Sequence, residues 1–366
     1  MEVVMSEPTS SLPSRPDLDQ LKKQAKELRA SGAHRTLAEA QLALARRHGF
    51  ASWTKLKRAV ELATLRRLIE EGDAAAARVL VASSPGLAKA TFDDGSTPLH
   101  LAAGENRPAL VEALVEHGAP LHAAYGKSAH TALSWALTCW SYGAAEKLVA
   151  LGVEPDLFCA AGLGDLDRVR AFWPGGSLRR HPSRTGSSRY TDAGAPLPRP
   201  PRRDTDQVSD ALYLACRCNR PEVARWLLDH GADPNWCGYA GASCLAWAEF
   251  SGNLDLCALL RARGGSDDVL DQQYRATPRV FPLMVFSGWG FPRLLLERLT
   301  ADRTLAALTG GRGTLLHAAA EGGQEAAARI LVHFGADRGA RDPEGRTPAE
   351  LAQARGHATL AALLSP

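Results

Sequence analysis

The chain has 366 residues, 45% of them hydrophobic and 23% charged, and no apolar run of about 18 residues, which excludes a transmembrane helix. Forty-three Lys and Arg against forty Asp and Glu leave a formal charge of +3, too small to mark the whole molecule as a nucleic-acid or membrane binder. Seven cysteines, odd in number and irregularly spaced, argue against a secreted disulfide scaffold and for a reducing compartment, so a cytoplasmic location is expected.

Residues 1–16 mix Glu, Ser and Pro, lack the basic end and apolar core of a secretory signal, and are expected to be disordered. Residues 17–62 read as a small helical leader. Leu18, Leu21, Ala25 and Leu28 fall at helical spacing, 37–47 makes a second helix stopped by Gly49, and Ser52 caps a third from Trp53 to Leu62. Its exposed faces carry Lys22, Lys23, Lys26, Arg29, Arg46, Arg47, Lys55, Lys57 and Arg58. Phosphate contact is one reading of those cations. The other is plain solvation, with Glu27, Glu39 and Glu61 interspersed, on a module that caps the chain beyond residue 62.

From residue 63 a pattern recurs. Asp94-Gly95-Ser96-Thr97-Pro98-Leu99-His100-Leu101-Ala102-Ala103 leads to an apolar run and then His117-Gly118-Ala119. It returns at Thr131–Ala136, at Ala211–Ala215 with His230-Gly231-Ala232-Asp233-Pro234-Asn235, at Thr314–Ala320 with Gly335-Ala336-Asp337, and at Gly345–Ala352. Thr97 to Thr131 is 34 residues, and Thr314 to Thr347 is 33. The blocks share one apolar helix, a short break and a second helix that most of them end with Gly, and at Thr97 and Thr347 a Thr N-cap stands before Pro. One such pair cannot bury its own apolar faces, so the blocks must stack.

Turn, Thr-Pro-Leu-His-x-Ala, two antiparallel helices and a Gly-Ala-Asp tail together resemble the ankyrin repeat over roughly 63–366. That resemblance implies an all-α fold, an ankyrin-repeat solenoid of about eight or nine helix-pair units with short hairpin fingers. Clear copies stand at 94–123, 206–235 and 312–341, weaker ones at 63–90 and 239–268. The stretch 269–305 is the least regular, crowded by Pro278, Pro282 and Pro292. The unit opening at Leu157 has lost its finger, and a Pro, Gly and Arg-rich insertion over 174–207 interrupts the array, read either as a tolerated surface loop or as an arm reaching a partner. The leader wording, Leu21–Leu28 and Ala45–Lys57, is similar to one that precedes some bacterial ankyrin-repeat proteins.

Catalytic patterns are thin. Gly126-Lys127-Ser128 imitates a phosphate loop but has Leu121 where a glycine is needed. Cys216 and Cys218, two apart on a helix, point about 200° apart and cannot share one metal ion, so Cys216 is expected buried and Cys218 groove-facing. No cofactor or metal is expected. The resemblance assigns His100 and His317 to the spacing of units, and helical position places Trp135, Trp226 and Trp247 in packing.

The resemblance also implies a concave partner-binding face of finger tips and inner-helix sides. Mapped onto this chain it gives Asp93, Asp94, Ser96 and Glu105, then Lys127, Ser128, Thr138 and Cys139, then Arg217, Cys218, Tyr239, Phe250 and Ser251, and finally Arg312, Glu321, Arg346 and Arg355. The reading is a monomeric, non-catalytic protein-binding scaffold. Its rivals are a nucleic-acid-associated regulator using the leader and the arginine-rich loop, and an enzyme with a site in 269–305.

Overall fold

The computed structural model describes residues 12–13, 15–125, 130–179, 204–236, 243–266, 280–310 and 312–365. Most of 1–16, where disorder is expected, and most of the insertion therefore fall outside the described residues. Among those described the chain is all-α, with twenty α-helices and one two-stranded hairpin. It divides into two compact units, one ending at Glu154 and one beginning at Pro155.

The first unit opens with α1 (Leu18–Ala30), α2 (Leu37–Arg47) and α3 (Trp53–Glu71), which enclose Leu21, Ala25, Leu44, Ala45, Leu56 and Val60 in a small core of their own. Thr36 and Glu39 form a reciprocal capping box that fixes the start of α2. The third helix does not stop at Leu62. No Gly or Pro interrupts 53–71, so α3 continues for 19 residues until Gly72, at φ +82°, ends it in the left-handed region. The leader's last helix and the first repeat's first helix are thus one rod. Helices α4 (Ala74–Ser83), α5 (Pro98–Gly104), α6 (Pro108–Glu116), α7 (Ala132–Thr138) and α8 (Tyr142–Ala150) complete three stacked pairs, with α3, α5 and α7 in one layer and α4, α6 and α8 in the other.

The second unit stacks six pairs. These are α9 (Leu157–Leu163) with α10 (Leu166–Arg170), α11 (Asp204–Arg217) with α12 (Pro221–Asp229), α13 (Cys244–Phe250) with α14 (Leu254–Ala262), α15 (Val280–Trp289) with α16 (Pro292–Ala301), α17 (Leu315–Glu321) with α18 (Glu325–His333), and α19 (Pro348–Ala354) with α20 (Ala358–Leu364). Two sequence expectations change here. The insertion ends earlier than 207, because Asp204–Gln207 already belong to α11, at 14 residues twice the usual inner helix. Its early turns take the chain position of a finger and brace the next loop: Trp236 Nε1 donates to Asp210 Oδ1 at 2.8 Å and the Asp233 N–H to Ser209 Oγ at 3.0 Å. The stretch 280–301 is a regular helix pair. Pro282 lies in the first turn of α15 and Pro292 is the first residue of α16, positions where a missing N–H costs no helical bond.

Six inner helices, α5, α7, α9, α13, α17 and α19, are each seven residues long and start after Thr97, Thr131, Asp156, Ser243, Thr314 and Thr347. Each of these side chains can satisfy an orphan helical N–H, a contribution of about 1 kcal/mol apiece. The break inside every pair passes through one left-handed residue. It is glycine in most pairs, but Asn106, Asn219 and, at φ +57°, Trp140 in the others.

Polar ties then fix the rise from unit to unit. His100 Nδ1 takes hydrogen bonds from Thr97, and its Nε2–H donates to the His130 carbonyl at 3.0 Å; His317 repeats this with Thr314 and the Arg346 carbonyl at 2.9 Å. Ser141 Oγ donates to the Gly104 carbonyl, Arg220 Nε to that of Gly162, and Asn235 Nδ2 to that of Gly264. The spacing role expected of both histidines is what the structure shows.

Burial holds the His100 imidazole below its ordinary value near 6.5, against the opposing pull of the His130 and Ala123 carbonyls. Both ring nitrogens are committed to the neutral tautomer, so the unfolded chain takes up a proton first as pH falls. This contribution to stability is complete above about 6.5 and is lost progressively below it. Urea midpoints are expected to be lower at pH 5 than at pH 7.5, with a smaller difference in His100→Gln; equal midpoints at both pH values would contradict this.

Candidate functional site

In the second unit three successive inner helices end on Arg217, Phe250 and Trp289, so that these residues form a row at one end of the stack. Beneath the row lies Trp247, one turn before Phe250 and only 1% exposed. Its indole meets Phe250 edge-on at 5.8 Å, Trp289 at 5.7 Å, Phe291 at 5.1 Å and Tyr213 at 6.3 Å. The Arg217 guanidinium is stacked 3.9 Å from the Trp247 ring centre and 5.1 Å from that of Trp289. Such cation–π contacts strengthen where water is excluded, to about 2 kcal/mol. The outcome is two surface aromatics, Phe250 46% and Trp289 37% exposed, over a buried base.

Charge beside the pair is also organised. Glu249, buried next to Phe250, receives Arg261 at 2.6 Å and Arg293 from the following unit. Further along the same edge Glu321, the last residue of α17, accepts from Arg355 at 2.6 Å. Arg346 is engaged by the buried Asp342, at 2.8 Å, and by Glu344. Burial alone would raise the Asp342 carboxyl, but the Arg346 backbone and guanidinium hold it below the usual carboxylate range. Of the arginines expected at the end of the array, Arg346 and Arg355 are therefore bound to acids of their own chain, and Arg312 is exposed.

In the first unit Asp93 and Asp94 are exposed on a finger, and Glu105 is exposed just past the other end of α5. Asp94 holds Ser96 through Oδ1 and Arg66 through Oδ2 at 2.5 Å. Burial works against its ionisation, yet those bonds leave its carboxyl below the ordinary range. Several expected contact residues turn out to be structural. Ser96 is buried on Asp94, Thr138 is 3% exposed with its hydroxyl donated to the Ser134 carbonyl, and Arg217 is 5% exposed. Cys218 is buried rather than groove-facing, since α11 ends against its neighbours; Cys216 is buried as expected. Ser251 is exposed beside Phe250. Lys127, Ser128, Tyr239 and Cys237 lie outside the described residues.

Among the described residues no three His, Cys, Asp or Glu side chains converge as a metal site, and no helix is long and apolar enough to cross a membrane. Burial raises the Cys159 thiol well above its usual value, opposite to the activation a nucleophile needs.

Sequence models of the ankyrin-repeat family match residues 59–171, as three copies, and residues 210–236 and 313–343. The chain belongs to the ankyrin-repeat proteins. The matched segments include the Thr97, Thr131 and Thr314 caps, the left-handed breaks at Asn106, Trp140 and Asn219, and inter-unit bonds such as His100 to the His130 carbonyl. Residues 237–312 lie between matched segments, yet α13 to α16 keep the ankyrin pairing, and Phe250 and Trp289 stand there. Sequence reasoning found Phe250 but missed Trp289, because the prolines around it disguised an ordinary ankyrin unit. The signal that could have found it is spacing: Trp289 ends its inner helix as Phe250 does.

Proposed function

We propose that this ankyrin stack is a non-catalytic, monomeric scaffold that holds a protein partner on the edge formed by the ends of its inner helices. Ankyrin repeats are in general protein–protein interaction modules, and proteins built from them are typically non-enzymatic. One observation carries the choice of face: Phe250 and Trp289, at the ends of successive inner helices, are both exposed and both rest on the buried Trp247 ring, with Arg217 stacked on Trp247 and Trp289. Aromatics immobilised before binding lose little side-chain entropy on association, and such anchors dominate interface energetics. Ser251, Glu321 and Arg355 would form the polar rim. Asp93 on the finger and Glu105 past the far end of α5 remain as exposed acids of the first unit.

The combined change Phe250→Ser and Trp289→Ser is expected to weaken capture of the cognate protein at least tenfold while circular dichroism retains the helical spectrum. Arg329→Ser, on an outer helix of the same unit, should leave capture unchanged. Equal capture by all three proteins would move the binding site elsewhere.

A further inference from the structure

We propose that the three-helix leader binds double-stranded nucleic acid through its phosphates, independently of the protein-binding edge. Charge in this chain is unevenly placed. Residues 12–62 hold eleven Lys and Arg against five Asp and Glu, whereas 63–366 is close to neutral. Between residues 40 and 60 there are five Lys or Arg and not one Asp or Glu. The fold places these cations around a single feature. Arg46 and Arg47 close α2, and Lys55 and Arg58 lie on the exposed side of the first turns of α3. The turn that brings the two helix ends together is short, with Gly49 at φ +81° and the Phe50 N–H returned to the Ala45 carbonyl at 2.8 Å.

Some of the leader's cations are already compensated within the chain. Lys22 is held by Asp19, Lys23 by Glu27 and Lys57 by Glu61. Lys26, Arg29, Arg46, Lys55 and Arg58 have no acidic partner among the described residues. Cations fixed on short helices and left uncompensated are what a polyphosphate neutralises, with release of counterions.

The apolar residues decide which polyanion. Among the described residues of the leader no large hydrophobic side chain is exposed; Phe50 and Trp53 pack against the leader's own core. A membrane-seated helix needs an apolar face to insert, and a single-strand binder needs exposed rings on which bases stack. The leader offers neither. The acid-free stretch between residues 40 and 60, with its exposed cations on two helix ends, suits the regular phosphate rows of a duplex, where contact positions the protein without reading bases.

The test uses the full-length protein and fluorescence anisotropy with labelled 20-base-pair DNA and RNA duplexes of mixed sequence, from 50 to 200 mM salt. Wild type is expected to bind at low salt, with log K falling linearly with log salt. The triple variant Arg46→Gln, Lys55→Gln, Arg58→Gln should lower that slope by about 3 and lose on the order of tenfold in affinity per cation removed near 100 mM salt. The control Arg312→Gln, Arg329→Gln, Arg341→Gln removes the same charge from the second unit and should bind as wild type, and circular dichroism should be the same for all three proteins. The two duplex arms report which nucleic acid is preferred. No binding at 50 mM salt, an equal loss in the control, or equally tight binding to polyglutamate or anionic phospholipid vesicles would overturn the proposal.

Discussion

Trp247→Ala is expected to lower the unfolding free energy by about 3–5 kcal/mol, the range for truncating a fully buried large aromatic. The effect belongs at the high end, because the indole touches side chains of its own and both neighbouring inner helices and the Phe291 ring that precedes α16. Removing it leaves the Arg217 cation buried without its nearest ring, a loss added to the cavity. Urea denaturation followed by circular dichroism measures the total; a change below about 1 kcal/mol would show that the neighbouring rings close the space. In the same variant Phe250 and Trp289 lose their common base, so capture of the partner should fall even under conditions where the helices persist.

Gly322→Ala is expected to destabilise the second unit by about 3 kcal/mol or more, through overpacking rather than conformation. Gly322 sits at φ −84°, where any residue is comfortable. What it lacks is room: a methyl group there would overlap the backbone carbonyl of Gly288 on α15, an atom with no rotamer to adopt. Neither α15 nor α17 can retreat, since Phe286 and Leu316 are themselves buried in the common core. Gly335→Ala is the useful contrast, because its Cβ would meet nothing and the cost is only that of φ +91°. A urea midpoint for Gly322→Ala equal to wild type would mean that the two helices are not so close.

Local chemistry makes much of this fold legible in the sequence. A Thr or Ser hydroxyl capping its own helix, a Pro at a first helical position and a Gly ending the second helix act within four residues, so Thr97, Pro98 and Gly118 announce themselves. His100 is readable for the same reason, its bonds to Thr97 being internal to the motif. What escapes is nonlocal. Arg217 looks like a surface arginine on its own helix, and is buried only because Trp247 and Trp289, 30 and 72 positions further on, close over it. Helix α3 hides its length because the leader and the first repeat have different sequence patterns, although no breaker separates them. Glu321, Arg346 and Arg355 are legible as charged ends of helices and fingers, but not as members of pairs that neutralise one another. Proline density misleads over 280–301, since each described proline there falls at a permitted position.

Site-specific photocrosslinking tests the binding edge most directly. Phe250 is replaced by p-benzoylphenylalanine in one protein and Arg329, on the outer helix α18, in another, and both are irradiated in the native cell. One dominant protein adduct is expected from position 250, abolished by Trp289→Ser, with none of the same mass from position 329. The same adduct from both positions, or adducts from position 329 alone, would contradict a partner held on the inner-helix ends.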